Sequence, residues 1–380
     1  MYKMTGSTNA FAGILVFESA FSIFVQLFAS VVVDDGRAKQ CAVFSDFFRG
    51  VFVLLAGIIV GTGKPHAIYI GVIAINLVRP FYRTSMFAIG PLIAKDEKLA
   101  KYSARNSVAQ QSGQLIGAGI AGAVISILGA SACVIINGVS FIISALLMCM
   151  VSIPTQRIIY TDKKHRSLLK LANPLLVAKQ WWEMFRHLFS ESKLFFLVII
   201  CTIDYLVVSF INLAYAPVID RLMLADSWMS IWDCLFAIGA IIGALLFSHF
   251  PQMRNSEKKI SVFMFLEAIL LVSFAFRNGS IVAAGMLGLG VTNAFSVSSF
   301  SYELQSKAKG KFHGRIAGLK QFLISLMSIV IVPFFSKGFD ASIEVAVMLV
   351  VLLCLVGALT MFFAVSRISA MNKGLDKNVV

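Results

Sequence analysis

The chain has 380 residues, of which 58% are hydrophobic and only 14% are charged, and its mean hydropathy is +0.86. This apolar share far exceeds that of an ordinary soluble domain, which the composition therefore excludes in favour of an integral membrane protein. The net charge of +14 would suit a nucleic-acid partner, but the basic residues are distributed in a pattern typical of membrane topology, so we expect no nucleic acid.

Long apolar runs recur along the chain, each near the roughly 20 residues that cross a bilayer core as a helix. They predict eleven membrane spans, at about residues 9–33, 41–61, 66–93, 105–128, 130–152, 194–218, 226–250, 259–277, 279–303, 317–336 and 342–365. The first run is too long for the core of a signal peptide, and no small-residue cleavage pattern follows it. We therefore expect this run to be a retained span.

The Lys and Arg residues cluster in alternate loops. They concentrate in the stretches 37–39, 95–105, 157–193, 254–259 and 307–315 and in the tail from residue 367. The opposite loops carry few basic residues. By the positive-inside rule, the first set of loops and the C-terminus are predicted to be cytoplasmic, which places the N-terminus of an eleven-span chain outside.

The longest basic stretch divides the chain into two halves. We predict a helical bundle of five spans at 1–153, a cytoplasmic linker at 154–193, and a bundle of six spans with a cytoplasmic tail at 194–380. Apolar residues at helical spacing predict an amphipathic helix in the linker, interrupted at Pro174, with Trp181 and Trp182 at headgroup depth. Short basic turns recur two spans apart in each half, as expected for repeated bundles, although the first half lacks a counterpart of the second half's first helix.

The stretch GAGIAG at 117–122 has the glycine spacing of a dinucleotide fingerprint, but it lacks the preceding strand and the following acidic residue. Within a membrane helix, Gly113, Gly117 and Gly122 instead predict a smooth face on which another helix packs closely. The six cysteines have irregular spacing, and no paired-carboxylate or nucleophile pattern occurs. We therefore expect neither a cofactor nor a metal, and no enzymatic activity.

Five ionisable residues lie deep within predicted spans. A charged group at that depth costs at least about 2.5 kcal/mol, so these residues are expected to face a cavity or a partner. Glu18 and Asp204 are the candidate proton-coupling carboxylates, with the alternative that each merely pairs with an arginine. Arg79 and Arg83, one helical turn apart, and Glu267 are the candidate charges of a cavity.

Several segments resemble the major facilitator superfamily. The loop that contains Asp34 and Arg37 resembles the motif between the second and third helices of that family. The helix with Gly113, Gly117 and Gly122 is similar to the fifth-helix motif of its drug:proton antiporters, with Ala118 in place of proline and Ala121 in place of glycine. The stretches SDFFRG (45–50), 79–107 and HGRIAGL (313–319) look most like the bacterial branch of macrolide efflux proteins and the enterobactin exporter.

The resemblance implies an all-α integral membrane protein with the major facilitator fold, in which two pseudo-repeat bundles supply about eleven helices as five plus six. It implies export of an amphipathic small molecule by alternating access in exchange for protons. The transporter would be a monomer in contact with the lipids of a bacterial inner or plasma membrane. Asp34 and Arg37 would form a gating loop, to which the pair Asp46 and Arg49 would tie the following span.

Two alternatives remain open at this stage. The same scaffold could carry a lipid or lysophospholipid, which the amphipathic linker helix would suit. The chain could also be a truncated remnant that does not transport, since the first helix of the first half is missing and the loop at Asp34 departs from the family motif.

Overall fold

The computed structural model describes residues 22–62, 68–153, 173–225, 227–249, 257–308 and 312–377, and Glu18 lies outside these ranges. The described chain is helical and contains no strand. We number its helices in chain order: α1 (22–32), α2 (Ala38–Gly61), α3 (Ile68–Ile93), α4 (Asp96–Met150), α5 (Pro174–Ser190), α6 (Ser192–Arg221), α7 (Ser227–His249), α8 (Glu257–Leu271), α9 (Gly279–Lys307), α10 (His313–Ala341) and α11 (Ile343–Lys377).

Two glycines set the chain reversals in the first half. A π-helical turn, Val33–Arg37, joins α1 to α2, and Gly36 within it has φ +84°, which a residue without a Cβ adopts at little cost. The long helix α4 is broken at Gly129, where φ is +83° and ψ is 169°. This break lies between the predicted spans 105–128 and 130–152, so α4 consists of two spans separated by a sharp turn.

Membrane insertion is evident from helix length and from what the surface exposes. Among the described residues, seven helices are long and apolar enough to cross a membrane by length and composition, and residues 68–93, 105–128 and 259–275 of three further predicted spans are helical as well. Large apolar side chains cover the outer face of α11, as expected for contact with lipid: Met348, Leu352, Val356, Leu359 and Phe363.

The second half is held together by an aromatic and aliphatic core. Phe210 of α6 lies at its centre and packs edge-on against Phe274 and Phe335, with ring centroids 6.1 and 5.4 Å away. Trp232 of α7 is fully buried and also contacts Phe274. These rings come from four separate segments, so the core fixes α6, α7, α10 and the short 3₁₀ turn after α8 relative to one another.

Glycines in α7 and α9 allow these two helices to touch at their backbones. An added Cβ at Gly239 or Gly243 would clash with the carbonyl oxygens of Leu287 and Val291, and one at Gly290 would clash with that of Phe236. Gly239 and Gly243 are four residues apart, the small-residue spacing of close helix packing in membranes. The sequence contains this glycine spacing in α7, but we predicted close helix packing at the glycines of α4 instead.

The described part of the linker helix begins at a proline and buries one of its two tryptophans. Pro174 begins α5, because a proline at the first helical position loses no hydrogen bond, and Asn173 caps the helix by accepting a bond from the Leu175 amide. The residues of the predicted amphipathic stretch before Asn173 lie outside the described residues. Trp181 is 6% exposed, and its Nε1 donates to the Leu27 carbonyl at 3.3 Å, whereas Trp182 is 64% exposed. Trp181 therefore packs within the protein, and the headgroup depth of the two tryptophans remains a prediction.

We expect Gly243→Ala to destabilise the protein by about 1–3 kcal/mol, because the new methyl group meets a backbone carbonyl that can move only with its helix. Gly113→Ala is the matched control, since no described atom lies within 4 Å of its added Cβ, and alanine favours a helix over glycine. Thermal unfolding of the two purified variants in detergent measures the difference. Equal stability of the two variants would contradict the close α7–α9 contact.

Candidate functional site: gating contacts, central cavity and buried acid pair

Asp34 connects the two halves at the end of the bundle where α2, α4 and α10 begin and α9 ends, which we call the basic end. Its carboxylate accepts bonds from the backbone amides of Gly314 and Arg315, at 2.5 and 3.1 Å, and from Arg315 Nε at 2.8 Å. The side chains of Asp34 and Arg315 are 3% and 6% exposed. We call this set of contacts the latch. Because α10 begins at His313, the carboxylate also lies at a helix N-terminus, where backbone amides and the helix dipole stabilise an anion.

Arg315 extends the latch to a third segment. Its Nη1 donates to the Gln180 carbonyl of α5 at 2.6 Å, and its guanidinium lies 4.8 Å from the centre of the Phe312 ring. Arg315 was not among the predicted site residues, although it lies in the HGRIAGL stretch at the start of a span. Arg37, the other predicted residue of the gating loop, pairs at 3.5 Å with Asp35 in its own loop.

Two further contacts join the halves at the basic end, both through Gln305 of α9. Its side-chain nitrogen donates to the Phe87 carbonyl at 2.8 Å, and its side-chain oxygen accepts from Ser103 at 3.4 Å. Within the second half, His313 donates to the Gln305 carbonyl at 2.9 Å and so fixes the end of α9 against the start of α10. Together with the latch, these bonds close the described part of the molecule on this side.

Asp46 and Arg49 form an ion pair, but this pair does not join α2 to the Asp34 loop as predicted. Asp46 also accepts a bond from Ser144 at 2.6 Å, and the guanidinium of Arg49 lies 4.6 and 4.7 Å from the ring centres of Tyr82 and Phe141. About two turns of helix separate the pair from the loop. The two side chains instead contact α3 and the second span of α4. The pair therefore fixes helices within the first half.

A cavity of about 260 Å³ lies between the two halves, further along the helices from the basic end than the latch. The first half contributes α1 and α3, and the second contributes α6 and α10. Its described lining is mostly polar: Ser22, Gln26, Asn76, Arg79, Pro80, Arg83, Tyr205, Ser209, Asn212, Gln321, Ile324, Ser325, Ser328 and Val332. The structure thus places both predicted arginines in one cavity, where Arg83 Nη1 lies 3.4 Å from Gln321 Oε1 of the opposite half.

Glu267 does not line this cavity, contrary to the prediction. It is 1% exposed inside the second half, where its side chain interacts electrostatically with that of Asp204, which is also 1% exposed. Asp204 Oδ1, Glu267 Oε1 and the nearby Asn293 Nδ2 each lack a described hydrogen-bond partner. The sequence identified both acids singly, but their proximity depends on how α6 and α8 pack against α11.

Gly113 and Gly117 are exposed, and an added Cβ at either would meet no described atom within 4 Å. The surroundings of Gly122 lie outside the described residues. The smooth face predicted for α4 is therefore not covered by any helix that the structure describes. Its proposed packing role remains a prediction.

The architecture has a counterpart in a known family. A model of the Major Facilitator Superfamily matches residues 2–333, which is most of the chain. The chain belongs to the Major Facilitator Superfamily. Membership agrees with two helical halves that enclose a shared cavity, and it indicates a transporter rather than an enzyme. A comparison with curated proteins found no match.

Solved structures of Major Facilitator Superfamily proteins share this fold at low identity. The human organic anion transporter MFSD10 (TETRAN) is 13% identical with a TM-score of 0.69, over 91% of this chain and 83% of that chain. The proton:xylose symporter XylE is 14% identical with a TM-score of 0.63, over 92% and 86%. A bacterial homologue of the iron transporter ferroportin, in an outward-facing state, is 15% identical with a TM-score of 0.62, over 93% and 90%.

We expect Asp34→Asn to separate the halves at the basic end, because the amide loses the charge that pairs with Arg315 and complements the α10 N-terminus. Spin labels on the exposed residues Lys98 and Ser306, in a background without native cysteines, should report longer distances by double electron–electron resonance. Asp35→Asn is the matched control, since it keeps the latch. An unchanged distance distribution in Asp34→Asn would show that the latch does not hold this conformation.

Proposed function

We propose that this protein is a secondary transporter that exports an amphipathic small molecule across a bacterial inner or plasma membrane in exchange for protons. The observation that carries the proposal is a polar cavity formed jointly by both halves and closed on one side by the latch. A cavity of this kind can serve each side of a membrane in turn when two bundles rock about it. We further propose that the basic end is cytoplasmic, so the described conformation is closed to the cytoplasm.

Proton coupling is supported by the pair Asp204 and Glu267. An ionised carboxylate only accepts hydrogen bonds, so of two neighbouring buried carboxyl groups one can donate to the other only when it carries a proton. Two like charges at this separation in a buried site cannot both ionise at low cost. We therefore propose that the pair holds one proton and gains or loses a second during transport. The match of fold to a proton symporter makes such coupling compatible with the scaffold.

Other groups around the acid pair define its electrostatic environment. Lys320 of α10 acts on Asp204 as a nearby positive charge, and the thiols of Cys201 and Cys354 lie on α6 and α11 beside it. Lys320 favours the state with one ionised carboxyl group.

Glu18, the first candidate from the sequence, is the other residue proposed for coupling. Because Glu18 lies outside the described residues, this proposal rests on its sequence context. Glu18 is an acidic residue within the apolar stretch LVFESAF. The alternative role, pairing with Arg79 or Arg83, is distinguished from coupling by the transport test below.

A lipid substrate is the second candidate function, and the exposed face of α5 favours it. Leu175, Trp182 and Phe189 are 80%, 64% and 64% exposed, which suits a helix that lies in the headgroup region beside the cavity-forming bundle. Failure to translocate a radiolabelled lysophospholipid in proteoliposomes would remove this candidate. The third alternative, a remnant that does not transport, is disfavoured by the presence of both the cavity and the latch.

Glu267→Gln should remove the infrared C=O band of a protonated carboxylic acid that the wild-type protein shows at neutral pH. The expected loss follows because Asp204 is then the single carboxyl group of the site, accepts from the new amide and is stabilised as an anion by Lys320. Glu303→Gln is the control, since Glu303 pairs with Lys307 at 2.7 Å outside the acid pair. A band that persists in Glu267→Gln would exclude the shared proton.

Transport itself is tested in everted vesicles with an imposed pH gradient and enterobactin as the probe, chosen from the family resemblance and because its catechol groups can ionise to anions. We expect enterobactin to drive proton movement, measured with a pH-sensitive dye, and Asp204→Asn to reduce this movement to the level of vesicles without the protein. Glu18→Gln examines the other residue proposed for coupling in the same assay. Proton movement unchanged by both substitutions would contradict the assignment of coupling to these acids.

A further inference from the structure

We infer that the central cavity binds an anionic group of the transported molecule, with Arg83 and Gln321 as the recognising side chains. The inference rests on the proposed transport function and adds the chemical class of the substrate. The group is a carboxylate, sulfonate or phosphate carried by a compact molecule.

The charge of the cavity is one-sided in its described lining. Arg79 and Arg83 are the two charged side chains there, and no Asp or Glu is among the described lining residues. The remaining polar groups are amides and hydroxyls, which hydrogen-bond a substrate of either charge. Arg49 adds to the positive potential near Arg83, although its own charge is balanced by Asp46. The field within the cavity therefore favours an anion.

Arg83 has unused binding capacity. A guanidinium has five N–H donors in a planar fork that matches the two oxygens of a carboxylate or phosphate. In the described structure, the hydrogen bond that Arg83 makes is a long one, 3.4 Å, to the neutral side chain of Gln321. Arg83 is partly buried and has no anionic partner among the described residues. A partly buried cation in this situation is costly, and a charged ligand would relieve the cost. Arg83 by itself supplies the donors that the inference requires, whatever contacts Arg79 makes.

The position of Arg83 makes anion binding relevant to transport. Arg83 belongs to α3 of the first half, whereas Gln321 belongs to α10 of the second half, so their contact crosses the plane along which the halves rock. An anion that takes the N–H donors of Arg83 would replace the bond to Gln321 and accept from the Gln321 amide instead. Ligand binding would then depend on the separation of the halves, as alternating access requires.

The size of the cavity limits the substrate in this conformation. About 260 Å³ is below the roughly 300–1,000 Å³ of pockets that enclose drug-sized ligands. Ser209, Asn212, Ser325 and Ser328 line the same space and offer hydrogen bonds to hydroxyl or carbonyl groups of the ligand. These features favour a small polar anion, or the head of a larger amphipathic molecule.

The test uses three aromatic probes of similar shape and different charge: benzenesulfonate, neutral benzenesulfonamide and cationic benzamidine. The full-length protein in phosphatidylcholine nanodiscs is titrated with each probe by calorimetry. We expect benzenesulfonate to bind most tightly, and Arg83→Gln to weaken its binding by at least about tenfold while leaving that of benzenesulfonamide unchanged. Arg83→Lys should retain part of the affinity, since it keeps the charge but loses the planar fork.

Two further variants sharpen the result. Gln321→Glu places a carboxylate beside Arg83, so it should abolish benzenesulfonate binding while preserving the fold through the added ion pair. Arg105→Gln, at an exposed position on α4 outside the cavity, is the charge-matched control and should bind the sulfonate as the wild type does. Equal binding of sulfonate and sulfonamide, no binding of any probe, or an Arg83→Gln variant with wild-type affinity would each overturn the inference.

A second lipid composition distinguishes the source of the anionic group. In nanodiscs with phosphatidylglycerol, competition with benzenesulfonate that disappears in Arg83→Gln would assign the site to a lipid headgroup. Absence of competition would assign it to a soluble anion. The calorimetric titration measures binding without a pH gradient, whereas the vesicle assay measures proton coupling. A failure of the anion inference is therefore distinguishable from a failure of the proposed transport function.

Discussion

The cost of a charge in a low-dielectric interior organises this protein. Each deep ionisable side chain needs a partner, a helix terminus or water, and the structure meets this need in several ways. Asp34 has the α10 N-terminus and Arg315, Asp46 has Arg49, and Asp204 has Glu267. Arg83 has a neutral amide and the cavity. We propose that these different ways of balancing charge serve different roles. The latch closes the basic end, the acid pair holds a proton, and Arg83 binds the substrate.

Contacts within the halves differ in kind from contacts between them. Inside the second half, α7 and α9 meet backbone to backbone at Gly239, Gly243 and Gly290, and interlocked aromatic rings fix the other helices. Such packing resists gradual deformation. At the basic end, the halves meet through a set of hydrogen bonds at Asp34 and Gln305, which water can replace when the halves separate. Rigid halves with a polar, breakable contact are the mechanical requirement of the proposed rocking motion.

The proposed proton site and substrate site lie on opposite sides of the same two helices. On α6, Asp204 reaches the acid pair, whereas the next residue, Tyr205, lines the cavity. On α10, Lys320 acts on Asp204, whereas Gln321 contacts Arg83 across the cavity. A small rotation or shift of either helix therefore changes both environments at once. This arrangement offers a physical route for coupling two sites that do not share a residue.

The sequence by itself determined the membrane class, the helical periodicity and the approximate ends of the spans, because these depend on local composition and on the length of apolar runs. It also identified Asp204, Arg79 and Arg83 individually, since a charge within an apolar run stands out without any knowledge of its partner, and it identified Asp34 through the family's loop motif. The partners required the tertiary structure. Arg315 lies 281 positions from Asp34, and Glu267 comes near Asp204 through the packing of both α6 and α8 against α11. The glycines also show what the sequence leaves open. Their spacing indicates a smooth helix face in both α4 and α7. Which of these faces another helix covers depends on the arrangement of the neighbouring helices.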